Sequence, residues 1–145
     1  MHHSVILCPL DFSVDTASVV GFAASLARTT HTELRLLHVC DPALKASAQE
    51  AMHLLDDWQR RVLRTAHCCV STAVRIGEAA PEIVADASSY SVSLVVMGAH
   101  GCTHRSRFLV GSTAEQVLRA APCLTMVVDL HGTEASFHML PESQL

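Results

Sequence analysis

The chain predicts an α/β fold, a single domain with an open five-stranded parallel sheet and helices on both faces, on three observations. Five short apolar runs (residues 4–8, 34–40, 69–76, 94–97 and 124–128) alternate with four stretches of helical periodicity. Most of these runs are continuous rather than alternating, which is how strands read when both faces are buried. The strand–helix alternation then calls for right-handed crossovers between parallel strands. At 145 residues and 50% hydrophobic content the chain is long enough to bury one core. Residues 1–130 are expected to form that domain; residues 131–145 lack periodicity and are given no role.

The first run, 4–8, stops at Pro9, and Asp11 stands just beyond its C-terminal end. In open α/β sheets ligands bind in the crevice outside those ends, although a carboxylate there also serves to brace the turn. Ser13 is the expected N-cap of the first helix, in which Val19, Phe22, Ala23 and Leu26 recur at steps of three and four, to about Arg28. The second strand, 34–40, ends at Asp41 and Pro42, and its His38 is read as a satisfied strand residue. Between about 43 and 66, Leu44, Ala48, Ala51, Leu55, Trp58 and Val62 line one face of a single long helix.

The third strand, 69–76, alternates in part, as an edge strand does. Pro81 marks the first turn of the next helix, whose inner face is Ile83, Val84 and Ala87. A polar break at 88–93 precedes the fourth strand. Ser112 and Glu115 have capping-box spacing and open the last helix, with Val117, Leu118 and Ala121 inward and Pro122 after it. Residues 124–128 complete the sheet.

The connection between the fourth strand and the last helix is the functional candidate. It runs to about a dozen residues where such loops usually take roughly two to six. Gly98, Gly101 and Gly111 permit positive φ and close backbone approach, and the helix behind Ser112 turns its N–H groups and positive dipole end toward the strand terminus. Arg105 and Arg107 add donors suited to phosphate oxygens, and His100 and His104 are further donors. Read from composition alone, a solvated turn-forming loop is an equal alternative to a phosphate cradle.

At these residues the chain resembles the ATP-binding branch of the universal stress protein family. That branch carries glycine, two residues, glycine, nine residues, glycine and then Ser or Thr, matched here by Gly98, Gly101, Gly111 and Ser112. The likeness extends from about residue 4 to 130 and includes the first-strand exit through Pro9 and Asp11. It implies a Rossmann-like sheet of order 3-2-1-4-5, similar to the adenine nucleotide alpha hydrolases, with ATP between the first and fourth strands. It places the adenosine beside Asp11 and Val39 and the phosphates along 98–113. The nucleotide-binding set it implies is Pro9, Asp11, Val39, Met97, Gly98, His100, Gly101, Arg105, Arg107, Gly111, Ser112 and Thr113. It also implies a stress-linked sensor or regulator, and a homodimer formed through the last strand, 124–128.

Chemistry beyond binding has little to rest on. No Walker lysine follows the glycines, no G-x-S-x-G elbow occurs, and the loop has no carboxylate to hold a metal or activate water. Slow ATP hydrolysis at most is expected, with no catalytic residue and no protein metal ligand; Mg²⁺ or Mn²⁺ would be held through the phosphates. Three alternatives stay open: a dimeric interaction protein without nucleotide, a nucleotide-using enzyme, and a zinc site at His100, Cys102 and His104.

A net charge of −4 with a single lysine, Lys45, gives no field for nucleic acid. No apolar run approaches the roughly 18 residues of a membrane span. The six cysteines, in a chain without a secretory signal, are expected to be reduced, and the cytoplasm is the expected compartment. Cys102 is the one expected to be reactive, because the neighbouring arginines favour its thiolate.

Overall fold

The computed structural model describes residues 4–44, 47–99, 110–129 and 136–139. The elements run β1 (Val5–Pro9), α1 (Thr16–Thr30), β2 (Glu33–Cys40), a 3-10 turn (Pro42–Leu44), α2 (Ala48–Thr65), β3 (Val70–Ile76), α3 (Ala79–Ser89), β4 (Val92–Gly98), α4 (Ser112–Ala120), β5 (Leu124–Asp129) and β6 (Ser136–Met139). The strand order is β3-β2-β1-β4-β5-β6. The first five strands are parallel, in the expected order 3-2-1-4-5.

Continuous apolar strands follow from a sheet covered on both sides. Helices α1 and α2 cover one face, where Val20, Ala23, Leu55 and Val62 meet Ile6, Cys8, Leu34 and Leu36. On the other face, Ile83, Ala87 and Val117 of α3 and α4 meet Leu7, Leu37, Val95 and Val127. Leu7, Leu34, Leu36 and Leu37 are fully buried, each contributing roughly 1.5–3 kcal/mol relative to exposure. Burial also pushes the Cys8 thiol up to about 12 and raises that of Cys40. The cysteines among the described residues are free thiols; Cys102 lies outside them.

Two helix boundaries and one helix face differ from expectation. Helix α1 begins at Thr16 with Asp15 at its N-cap, and Ser13 contributes only a carbonyl, which accepts from Thr16 N–H at 3.1 Å. The long helix expected over 43–66 is shorter: α2 starts at Ala48 because Ser47 caps it, accepting from Glu50 N–H at 3.3 Å. Val84 is half-buried, and the inner face of α3 is Ala80, Ile83, Asp86 and Ala87.

β6 falls in the segment to which the sequence assigns no role. It pairs antiparallel with β5, Met126 opposite Met139 and Asp129 opposite Ser136. The edge of β5 expected to meet a twin thus carries a strand of the same chain. Among the described residues, no helix is long and apolar enough to cross a membrane.

Candidate functional site at the strand termini

The site is built on the C-terminal ends of β1, β2 and β4. Leu7 lies opposite Val95 and Pro9 opposite Leu37, so Pro9, Val39 and Met97 all stand near the same end of the parallel sheet. Pro9 closes β1, where its missing N–H removes no rung that the turn needs. Val39, half-buried, packs on the same apolar cluster as Met97, Ala99 and Ala114. That joins the end of β2 to the end of β4 and the first turn of α4 by an apolar wall.

The exit from β1 is an ordered turn. Leu10 N–H donates to the Leu37 carbonyl at 2.7 Å, continuing the attachment to β2. Asp11 is exposed, and its Oδ1 accepts from Ser13 N–H at 3.0 Å, the Asx-turn role that a carboxylate after a strand suggests. Phe12 takes a left-handed conformation at φ 58°, uncommon for a bulky residue. Its ring lies 4.5 Å from that of His38, whose Nδ1 donates to the Leu10 carbonyl at 2.6 Å.

At the other end of the crevice, Gly98 closes β4 opposite Val128, and Ala99 N–H donates to the Val128 carbonyl at 2.9 Å. The chain re-enters with Gly111 N–H donating to the Ala99 carbonyl at 2.7 Å, which draws both ends of the long loop together. Helix α4 follows directly, with Ser112 and Thr113 as its first two residues.

The capping box expected at Ser112 and Glu115 does not form. Gly111 is the N-cap, Ser112 is already helical, and Glu115 accepts from Arg119 at 2.6 Å instead of reaching back. Gly111 has φ −62°, which any residue can adopt, so positive φ is not what glycine supplies here. A glycine cap brings no side-chain acceptor to the first-turn N–H groups of Ser112, Thr113 and Ala114. An anionic ligand is what such a turn suits.

His100, Gly101, Arg105 and Arg107 lie outside the described residues, as do Cys102 and His104. Among the described residues, no group of three or more His, Cys, Asp or Glu side chains is arranged to hold a metal ion. Sequence reasoning missed the partnership of His38 with Leu10 and Phe12. Its only signal is topological: once β1 and β2 are neighbours, His38 stands beside the exit that carries Asp11.

The sequence profile described as "Universal stress protein family" matches residues 3–129. Universal stress protein MJ0531 of Methanocaldococcus jannaschii is 28% identical over 144 residues, covering 85% of this chain and 80% of that protein. The solved structure of universal stress protein UspA from Lactobacillus plantarum superposes with a TM-score of 0.77 at 27% identity, covering 88% of this chain and 98% of that one. A universal stress protein from Archaeoglobus fulgidus, solved in complex with dAMP, shares the fold at a TM-score of 0.68 and 20% identity, covering 88% and 98% of the two chains.

Proposed function

The chain belongs to the universal stress protein family, and on that premise we propose that it is a cytoplasmic ATP-binding sensor or regulator of the stress response. The observation that carries this reading is the closed entry to α4. Gly111 N–H on the Ala99 carbonyl, at 2.7 Å, sets a helix N-terminus whose cap residue supplies no side-chain acceptor beside the end of β4. The phosphates sit there and on the loop holding His100, Gly101, Arg105 and Arg107, with Ser112 and Thr113 at the helix entry. The base lies against the Val39 and Met97 wall, and the Asp11 carboxylate accepts from the adenosine.

The residues present fit such a ligand: a cap without a side chain, an apolar wall and one exposed carboxylate next to a rigid turn. A nucleotide relative, the Archaeoglobus fulgidus protein in complex with dAMP, supports a nucleotide in this fold. Mg²⁺ or Mn²⁺ is held through the phosphates, and hydrolysis is slow at most. Homodimerisation through the β5 edge belongs to the same reading and requires β6 to give up that edge.

The test is acid release of nucleotide from freshly purified protein, with an ATP and Mg²⁺ titration of the wild type, the Gly101→Val, Gly111→Val variant and Asp11→Ala. Co-purified ATP, or saturable binding lost in the glycine variant, is expected. Asp11→Ala should weaken ATP by about tenfold, the value of one good hydrogen bond. No binding by the wild type overturns the reading and leaves the nucleotide-free interaction protein.

A further inference from the structure

We infer that His38 is a positioning residue for the adenosine end of the site: it holds the β1 exit in the shape that presents Asp11. The inference rests on the nucleotide-binding reading above and adds a residue to it.

Three contacts converge on this turn. Leu10, buried in the core, is bonded to β2 through both of its backbone groups, N–H to the Leu37 carbonyl and carbonyl to the His38 ring. Phe12, two residues on, rests its ring on the same imidazole at 4.5 Å. Asp11 lies between these anchors with its Oδ1 engaged by Ser13 N–H. The imidazole thus extends the β1–β2 attachment beyond the backbone pairing, which ends at Pro9 and Leu37.

The chemistry of the pair fixes the ring's state at one nitrogen. A carbonyl only accepts, so Nδ1 carries the proton, as it does in one neutral tautomer and in the imidazolium. Phe12 holds a left-handed backbone conformation, which is strained for a bulky residue and persists only where the surroundings over-determine it. The His38 ring and the Asp11–Ser13 bond are those surroundings. Without the Nδ1–H donor, the Leu10 carbonyl loses its side-chain partner, and the turn is free to relax to an ordinary conformation. Asp11 would then leave its place beside the crevice while the α4 end of the site stays as it is.

The experiment measures binding of ATP and of inorganic tripolyphosphate, each with Mg²⁺, to the wild type, His38→Phe and His38→Asn. His38→Phe keeps a ring against Phe12 and deletes the donor; His38→Asn deletes the ring and keeps an N–H near the Nδ1 position. The expected result is about a tenfold loss of ATP affinity in His38→Phe, the value of one hydrogen bond, with tripolyphosphate affinity unchanged. His38→Asn should recover most of the loss. ATP binding by His38→Phe equal to wild type overturns the inference, and so does an equal loss for ATP and tripolyphosphate. Should His38→Phe not fold, His38→Leu, which also lacks the donor, carries the test through the same comparison: a loss for ATP alone is expected, and either no loss or a loss shared by both ligands overturns the inference. Failure of the wild type itself to bind ATP overturns the underlying nucleotide reading, a different result from a wild type that binds and a variant that does not differ from it.

Discussion

Arg35 of β2 donates from Nε and Nη2 to the two carboxylate oxygens of Asp86 of α3 at 2.8 and 3.0 Å, and Asp86 is completely buried. Arg75 of β3 adds a longer contact to the same carboxylate at 3.4 Å while holding Glu82 at 2.7 Å. The Arg35 guanidinium also lies 3.7 Å over the Tyr90 ring. The bond to Asp86 pushes the Arg35 pKa up against the opposing effect of burial. One carboxylate thus ties α3 to the edge strand β3 and to its inner neighbour β2.

Deleting one partner of such a pair leaves a charge buried without compensation. Asp86→Ala is expected to cost about 3–5 kcal/mol in urea unfolding. An apolar double replacement, Arg35→Met with Asp86→Leu, should recover most of that loss, since a buried ion pair is often matched by well-packed apolar residues. A double variant as unstable as Asp86→Ala would show that the charge pair itself is needed.

Cys8 supplies a pH prediction. Its folded pKa is raised by burial from 9.0 to about 12. The folded protein therefore keeps the thiol proton through a window in which the unfolded chain has lost it. Stability from this group is full below about pH 9 and falls as pH rises toward about 12, by up to about 1.4 kcal/mol per unit. Cys8→Ala lacks this term, so its alkaline stability curve should be shallower than that of the wild type. Parallel curves would show that the thiol does not govern the alkaline slope.

The cap of α2 is a smaller, local test. Ser47 accepts from Glu50 N–H at 3.3 Å, and Ser47→Ala should cost about 1 kcal/mol of stability. Chemical denaturation reads this directly, and a change near zero would mean that the hydroxyl is replaced by water.

The parallel strands were legible because β1, β4 and β5 are apolar on both sides, and that pattern depends on nothing distant. Caps were less so. Residues 47–50 and 112–115 both have S-x-x-E spacing, yet only the first is a cap. At the second, the Gly111–Ala99 bond fixes the chain's entry, so the helix begins after Gly111 and Glu115 turns to Arg119. The partnerships of Asp86 and His38 were not legible for a related reason. Asp86 is buried because Arg35, 51 residues away, neutralises it, and His38 gains its role from a carbonyl 28 residues earlier. The parallel strand order brings Pro9, Val39, Met97 and Gly98 to one end of the sheet, whereas the turn that holds Asp11 becomes visible only once β1 and β2 are known to be neighbours.

β6 bears on assembly. Residues 136–139 are too few for a strand pattern to stand out, and what makes them a strand is the open edge of β5, whose backbone groups they pair over four positions. A bare parallel-sheet edge is a template for another chain, and an isologous pair of β5 strands would satisfy it across a twofold axis. The two pairings compete for the same N–H and C=O groups. A chain ended after Asp129 should therefore self-associate more strongly than the full chain at equal concentration, measured by light scattering over a dilution series. It should also unfold at lower temperature when dilute, because its edge is then unpaired. A truncated chain that stays monomeric at every concentration, with unchanged melting, would mean that β5 needs no partner strand and that assembly, if it occurs, uses another surface.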